Sequence, residues 1–228
     1  MSGSQTSQPQ ASDPFDLTAG QALAFYLSRQ RIPGEAAELL VRLSAHPAVI
    51  SAPHAKRHLR DGEVKLRDTN TAVLAFEAAR AAGARSLVVT NPLNEDPNWD
   101  AASRFRRQIS AMLTDQPGFL LDVHGMTDAR GPDVILGTAG GGTPGSLVAW
   151  AGSALDAHAL TYEVHDAGDL CAGPRTMTAW ALEQGFPAMQ LEFARRVRSP
   201  LQDPERFSDA VRALARIASW PWPEASSR

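Results

Sequence analysis

From Ala48 onward the chain alternates short apolar runs with longer segments of helical spacing, a rhythm that only a few architectures accommodate. The apolar runs are residues 48–52, 86–90, 118–123, 133–136, 160–164 and 188–193. Helices are predicted between them over 71–82, 101–113, 145–157 and 175–184, with a last one over 204–219. Strands that are apolar on both sides need a layer above and a layer below, which the intervening helices supply. The expectation is an α/β fold: a central mixed, mostly parallel sheet flanked by helices on both faces. The run 160–164 alternates apolar and polar residues, so it is expected at a sheet edge.

Residues 1–13 are rich in Ser, Gln, Gly and Thr without apolar periodicity and are expected to form a disordered tail. Two short helices, over 18–30 and 35–44, are predicted ahead of the sheet, separated by Pro33 and Gly34. The expected organisation is one domain over 14–220, with a short C-terminal tail over 221–228. At 228 residues, 43% of them hydrophobic, the chain is long and apolar enough to bury a core, which excludes disorder throughout. No apolar stretch approaches the ~20 residues that cross a bilayer. A net charge of −3 argues against nucleic acid or anionic lipid as partners. The only cysteine, Cys171, has no partner for a disulfide, and the first residues lack an apolar secretory segment, so a cytoplasmic location is expected. The glycine-rich segment 137–145 lacks the Lys-Ser/Thr ending of a phosphate loop and reads as a surface turn.

In open α/β sheets, chemistry gathers at the carboxyl ends of the strands. Three predicted strands end in polar residues: Ser51-Ala52-Pro53-His54, Leu121-Asp122-Val123-His124-Gly125-Met126 and Gln190-Leu191-Glu192-Phe193-Ala194-Arg195. Imidazoles and carboxylates leaving a core cost desolvation energy unless they are paired or bind metal. One such ending is ordinary; three together point to a metal site, because these are the donors that suit Zn²⁺. A catalytic zinc needs three protein ligands. His54 and His124 offer two, and the third is open between Asp68, His58 and Glu63. Asp68 also stands where it would cap the helix starting at Thr71.

These segments, with Asp68-Thr69-Asn70-Thr71 and the apolar helix after it, resemble the N-formylglutamate amidohydrolase family, zinc-dependent amide hydrolases related in fold to the zinc carboxypeptidases. They occur in the family's order between Val49 and Arg195. The resemblance implies that His54 and His124 are zinc ligands and that Glu192 is the general base or acid. Asp68 matches the acidic ligand of phage-type members that cleave polyglutamate, with Asn70 in place of their Gly and Thr71 matching their Thr. It also implies substrate binding at an Asp-x-Asn-Arg motif, here Asp96-Pro97-Asn98 followed by Trp99. With Trp99 in the arginine's place, Asn98 together with Arg104, Arg107 or Arg195 is left to hold a substrate carboxylate. Ala55 replaces the usual glycine after the first histidine.

The function expected is hydrolysis of an N-formyl or N-acyl amide of an amino-acid-like, acidic small molecule, with Zn²⁺ activating water and Glu192 moving its proton. A zinc peptidase acting on peptide or polyglutamate links is the alternative within that chemistry; a non-catalytic binding module on the same fold is the alternative outside it. Asp122, two residues before His124 on a strand, shares its face and either orients a ligand imidazole or balances nearby cations. The basic loop 56–67 is read either as a solvated surface or as an attractor of acidic substrates. Glu163, His165, Cys171, His46 and His158 are read as structural or without a role. Oligomeric state is left open.

Overall fold

The computed structural model describes residues 39–222. The expected tail over 1–13, the helix over 18–30 and residues 223–228 lie outside the described residues. In chain order the strands are β1 (Leu39–Arg42), β2 (Ala48–Ala52), β3 (His58–Arg60), β4 (Glu63–Lys65), β5 (Arg85–Val89), β6 (Phe119–Met126), β7 (Val134–Gly137), β8 (Tyr162–His165) and β9 (Ala188–Ala194). The helices are α1 (Thr71–Ala82), α2 (Arg104–Asp115), α3 (Gly145–Asp156), α4 (Met177–Glu183) and α5 (Pro204–Ala218).

Seven strands form one sheet in the order β1-β5-β2-β6-β9-β7-β8. The pairings β5–β2, β2–β6, β6–β9 and β7–β8 are parallel, while β1 and β7 run antiparallel to β5 and β9. Helices cover both faces, so β2, β5, β7 and β9 are buried at every residue. The partly exposed β8 is the edge strand its alternating sequence predicts.

Three helix ends show the local chemistry that sets them. Ser103 accepts the Arg106 N–H at 3.1 Å and Asp203 accepts the Arg206 N–H at 3.0 Å, capping α2 and α5. Gly83, at φ 67, ends α1 in the left-handed conformation that glycine adopts without strain. Two expectations need correction. The helix predicted over 35–44 is not formed at residues 39–42, which are β1: Leu39 to Arg42 pair with Val89 to Ser86. Residues 35–38 lie outside the described residues. The four-residue segment takes its conformation from the open edge of β5, a partner its own periodicity does not encode. The polar loop after His54 contains the β3–β4 hairpin, turned at Asp61 and Gly62 with φ 52 and 80. An Asp-Gly pair is the standard sequence for such a two-residue turn.

The arrangement that matters for the site is the carboxyl edge of the parallel strands. Ser51 stands beside Asp122, Asp122 beside Gln190 and His124 beside Glu192, so all five face one side of the sheet. Arg198, which is 5% exposed, clamps this edge from behind. Its guanidinium donates to Phe193 O at 3.1 Å, to Met126 O at 3.2 Å and to Thr69 O. It passes so close to Gly125 that a Cβ there would lie 2.7 Å from the guanidinium carbon, which explains the glycine. Hydrogen bonds to charged groups contribute about 1.5–3 kcal/mol each, and removing the donor strands buried carbonyls. Replacing Arg198 with Ala should therefore lower unfolding free energy by at least ~3 kcal/mol in urea titrations.

Candidate metal centre

His54 follows the end of β2, His124 lies near the end of β6, and Asp68 immediately precedes the segment leading into α1. The main chain brings the first and last together, because the Asp68 N–H donates to His54 O at 2.8 Å. His124 Nδ1 is 3.3 Å and His54 Nδ1 is 4.0 Å from Asp68 Oδ2. The three donor atoms lie within 4.8 Å of one another, a group compact enough for one cation. The two rings meet edge to face, with centroids 4.8 Å apart.

The far side of each ring is held by a fully buried carboxylate. His54 Nε2 donates to Asp96 Oδ1 at 2.8 Å, and His124 Nε2 stands 3.1 Å from Asp122 Oδ2. Asp122 is itself fixed by the Ser51 hydroxyl at 2.6 Å. Carboxylates in this position set the tautomer and aim of metal-binding imidazoles. Burial lowers the pKa of His54 despite its bond to Asp96. The neutral ring keeps its one proton on Nε2, so the Nδ1 lone pair faces the Asp68 carboxylate. Two lone pairs pointed at one another call for a cation between them. His124 differs: burial opposes its charge, but Asp122, Asp68 and Glu192 outweigh burial and hold its pKa well above the usual value. Asp68, although burial raises it, is brought below the usual carboxylate range by His124, His54 and the Gly125 N–H.

A second group, His54, His58 and Asp96, also has metal-donor composition. It is already neutralised. Asp96 is 0% exposed, accepts from Arg60 Nε at 2.5 Å and from Asn98 N at 2.9 Å, and has His58 Nε2 at 3.5 Å. Burial alone would raise its pKa, yet His54, His58 and Arg60 hold it far below the carboxylate range. A cation there would have to displace an arginine, whereas the Asp68 side chain, 21% exposed, is open to an incoming ion.

Glu192 stands beside His124 on β9, with Gln190 Nε2 donating to its Oε1 at 3.0 Å. Burial pushes its carboxyl up to about 7; Asp68 and Asp122 add to the rise while His124 and Arg198 oppose it.

The remaining sequence candidates fall elsewhere. His58 stacks on His54 with centroids 4.2 Å apart and turns toward Asp96, and Glu63 is exposed on β4. Asp68 does not cap α1 with its side chain: Asn70 is the cap residue, and Thr71 bonds the Asp68 main-chain oxygen. Asn98 is buried, its Nδ2 3.4 Å from His124 Nε2 and its Oδ1 accepting the Met177 N–H at 3.1 Å. Arg104, Arg107 and Arg195 are exposed. Trp99 donates to Asp61 at 2.9 Å, with the Arg175 guanidinium 3.7 Å and that of Arg60 5.1 Å from its ring centre. Sequence reasoning missed Arg60 and Arg198 altogether, and it met Asp96 and Gln190 only inside quoted motifs, without the roles of ring anchor and Glu192 partner. The glycine-rich turn beside β7 lines a separate cavity with Asp166 and Glu183, which disfavours phosphate there.

No protein-family model and no curated protein matches this chain. Solved structures do match it. N-formylglutamate amidohydrolase from Ralstonia eutropha JMP134 superposes with a TM-score of 0.56 at 16% identity, covering 80% of this chain and 96% of that one. The fold is shared with that enzyme. The Agrobacterium tumefaciens gene product Atu2144 gives a TM-score of 0.54 at 12% identity, covering 82% and 94% of the two chains. A bacteriophage poly-gamma-glutamate hydrolase gives 0.50 at 15%, covering 84% and 92%. The central mixed sheet with helices on both faces is thereby an established architecture of this chain.

The proton on His124 makes a direct prediction about cation binding. A metal taken up by the two Nδ1 atoms and Asp68 must displace the Nδ1 proton of His124, so uptake at pH 7 should release about one proton. Because Asp122, Asp68 and Glu192 raise that pKa, affinity should keep climbing above the ordinary histidine range and level off only once the proton is lost. Calorimetry in buffers of differing ionisation heat measures both. Asp68→Ala should abolish uptake while leaving α1 intact by circular dichroism, since its carboxylate caps nothing.

Proposed function

We propose that this chain is a zinc-dependent amidohydrolase that cleaves an N-formyl or N-acyl amide of an acidic, amino-acid-like substrate. The observation that carries the reading is the convergence of His54 Nδ1, His124 Nδ1 and Asp68 Oδ2, each ring anchored through Nε2 by its own buried carboxylate. Two neutral-capable imidazoles and one carboxylate are a catalytic zinc's usual donor set, and three protein donors leave one position for a reactant. Zinc bound there would polarise the scissile carbonyl and lower the pKa of water.

The chain's own groups supply the rest. Glu192, beside His124, accepts a proton from the attacking water and returns it to the departing amine. Burial suits it to both steps, because a carboxyl titrating at about 7 exchanges a proton readily near neutrality. Gln190 holds one oxygen of that carboxylate and so directs the other toward the reactants. Asp96 and Asp122 keep the ligand rings from turning. Amide links in a peptide or a polyglutamate are a second substrate reading, favoured by the fold likeness to the phage hydrolase.

Zinc content and turnover on a panel of N-formyl and N-acyl amino acids test the reading. One zinc per chain with turnover is expected in the wild type. Glu192→Gln should keep the metal and lose about 10²–10⁴-fold in kcat. Metal-free protein after zinc exposure, or full turnover in Glu192→Gln, would overturn it.

A further inference from the structure

A cavity of about 580 Å³ opens between the carboxyl ends of β2 and β5, on the opposite side of His54 and His124 from Glu192. We propose that it is an anion subsite that receives the carboxylate-bearing end of the substrate; its assignment to substrate rests on the hydrolase reading, and its anion chemistry does not. Three cationic residues, Lys56, Arg57 and Arg67, line it, and no carboxylate does. Lys56 is buried, at 7% exposure, and the two arginines are exposed.

Three carboxylates of the neighbouring segments are engaged elsewhere, and Asp68 is turned toward the histidine cluster. Asp61 accepts from the Trp99 indole at 2.9 Å, Glu95 accepts the Arg104 N–H at 2.7 Å, and Asp96 is buried against Arg60. A concave, one-sign lining concentrates the field and draws an anion inward. Its volume lies within the ~300–1,000 Å³ of small-molecule sites.

Position ties the cavity to the reaction. Lys56 lies two residues after His54, and Arg67 and Thr69 flank Asp68, so the subsite and the cation cluster are built from the same two segments. Across the edge of the sheet the order is β5, β2, β6, β9. The cationic cavity, the two histidines and Glu192 therefore follow one another along that edge at the ~4.8 Å strand spacing. An extended amide substrate lying along it would place its amide at the cluster and its charged end in the cavity. The apolar part of the lining selects the kind of anion. Leu66, 83% exposed, and Pro92 give a methylene chain something to cover, which suits an aliphatic carboxylate better than a bare phosphate.

The full-length protein is titrated calorimetrically with glutarate and with inorganic phosphate, and so is the Arg57→Ala/Arg67→Ala double variant, whose exposed substitutions spare the core. Glutarate should bind the wild type more tightly than phosphate and lose at least tenfold in affinity in the variant. No glutarate binding, equal binding by the variant, or tighter phosphate binding each overturns the proposal. In kinetics, the variant should raise KM at least tenfold for an N-acyl glutamate and leave that for the N-acyl glutamate diamide, which carries no carboxylate, unchanged; an equal effect on both overturns it too. If the wild type hydrolyses no amide, the hydrolase reading fails while the glutarate titration still decides the cavity.

Discussion

The arrangement depends on two buried carboxylates, Asp96 and Asp122, that hold the outer nitrogens of His54 and His124. An imidazole on a strand end can turn about its Cβ–Cγ bond, and a flipped ring would exchange the nitrogen facing Asp68 for a carbon. Each carboxylate removes that freedom. It also sets charge: His54 stays neutral with its lone pair inward, whereas His124, flanked by Asp122, Asp68 and Glu192, keeps a proton that any cation must displace. A metal binding there would thus meet one ring with a free lone pair and one that must first lose a proton.

Both carboxylates are expensive to bury, and their surroundings show how the cost is offset. Asp122 receives the Ser51 hydroxyl from the neighbouring strand, in register. Asp96 receives Arg60, His54 and the Asn98 main-chain N–H, so the β3–β4 hairpin is fastened to the site by an ion pair whose acid is wholly buried. Arg198 then joins the ends of β6 and β9 to the residue after Asp68. Arg198 holds three segments distant in sequence at one place through main-chain oxygens alone. Such bonds tolerate substitution in the partners, which fits a fold retained at 16% identity or less to its solved likenesses.

Much of this was legible in the sequence wherever the signal was local. The near-continuous apolar runs gave the central strands, since a strand covered on both faces has no polar side to show, and the helix over 71–82 is where its periodicity puts it. The polar strand endings led to His54, His124 and Glu192 because side chains that share a face on adjacent parallel strands must share a neighbourhood. What escaped depended on distant partners. Residues 39–42 became a strand because β5 offered an open edge. Asp96 looked like part of a substrate motif, and only the fold reveals the ring it anchors. Arg198 lies beyond the recognisable segment ending at Arg195, and nothing in its local sequence distinguishes a buried clamp from the exposed arginine three residues earlier.

The placement of positive charge follows from Trp99. An indole there carries no positive charge; its N–H is taken by Asp61 and its face by Arg175 and Arg60. Arg60 is at the same time committed to Asp96, so its charge is spent on holding His54 in place. Cation–π contact of this kind orders a guanidinium without neutralising it, but it fixes Arg175 on the side of the site near α4, away from β5. The concave positive surface left along the sheet edge is then the one between β2 and β5, where Arg57 and Arg67 stand with Lys56. Positive charge along this edge is therefore divided: Arg60 and Arg175 are tied up at Trp99 and Asp96, while Lys56, Arg57 and Arg67 gather on the opposite side of His54.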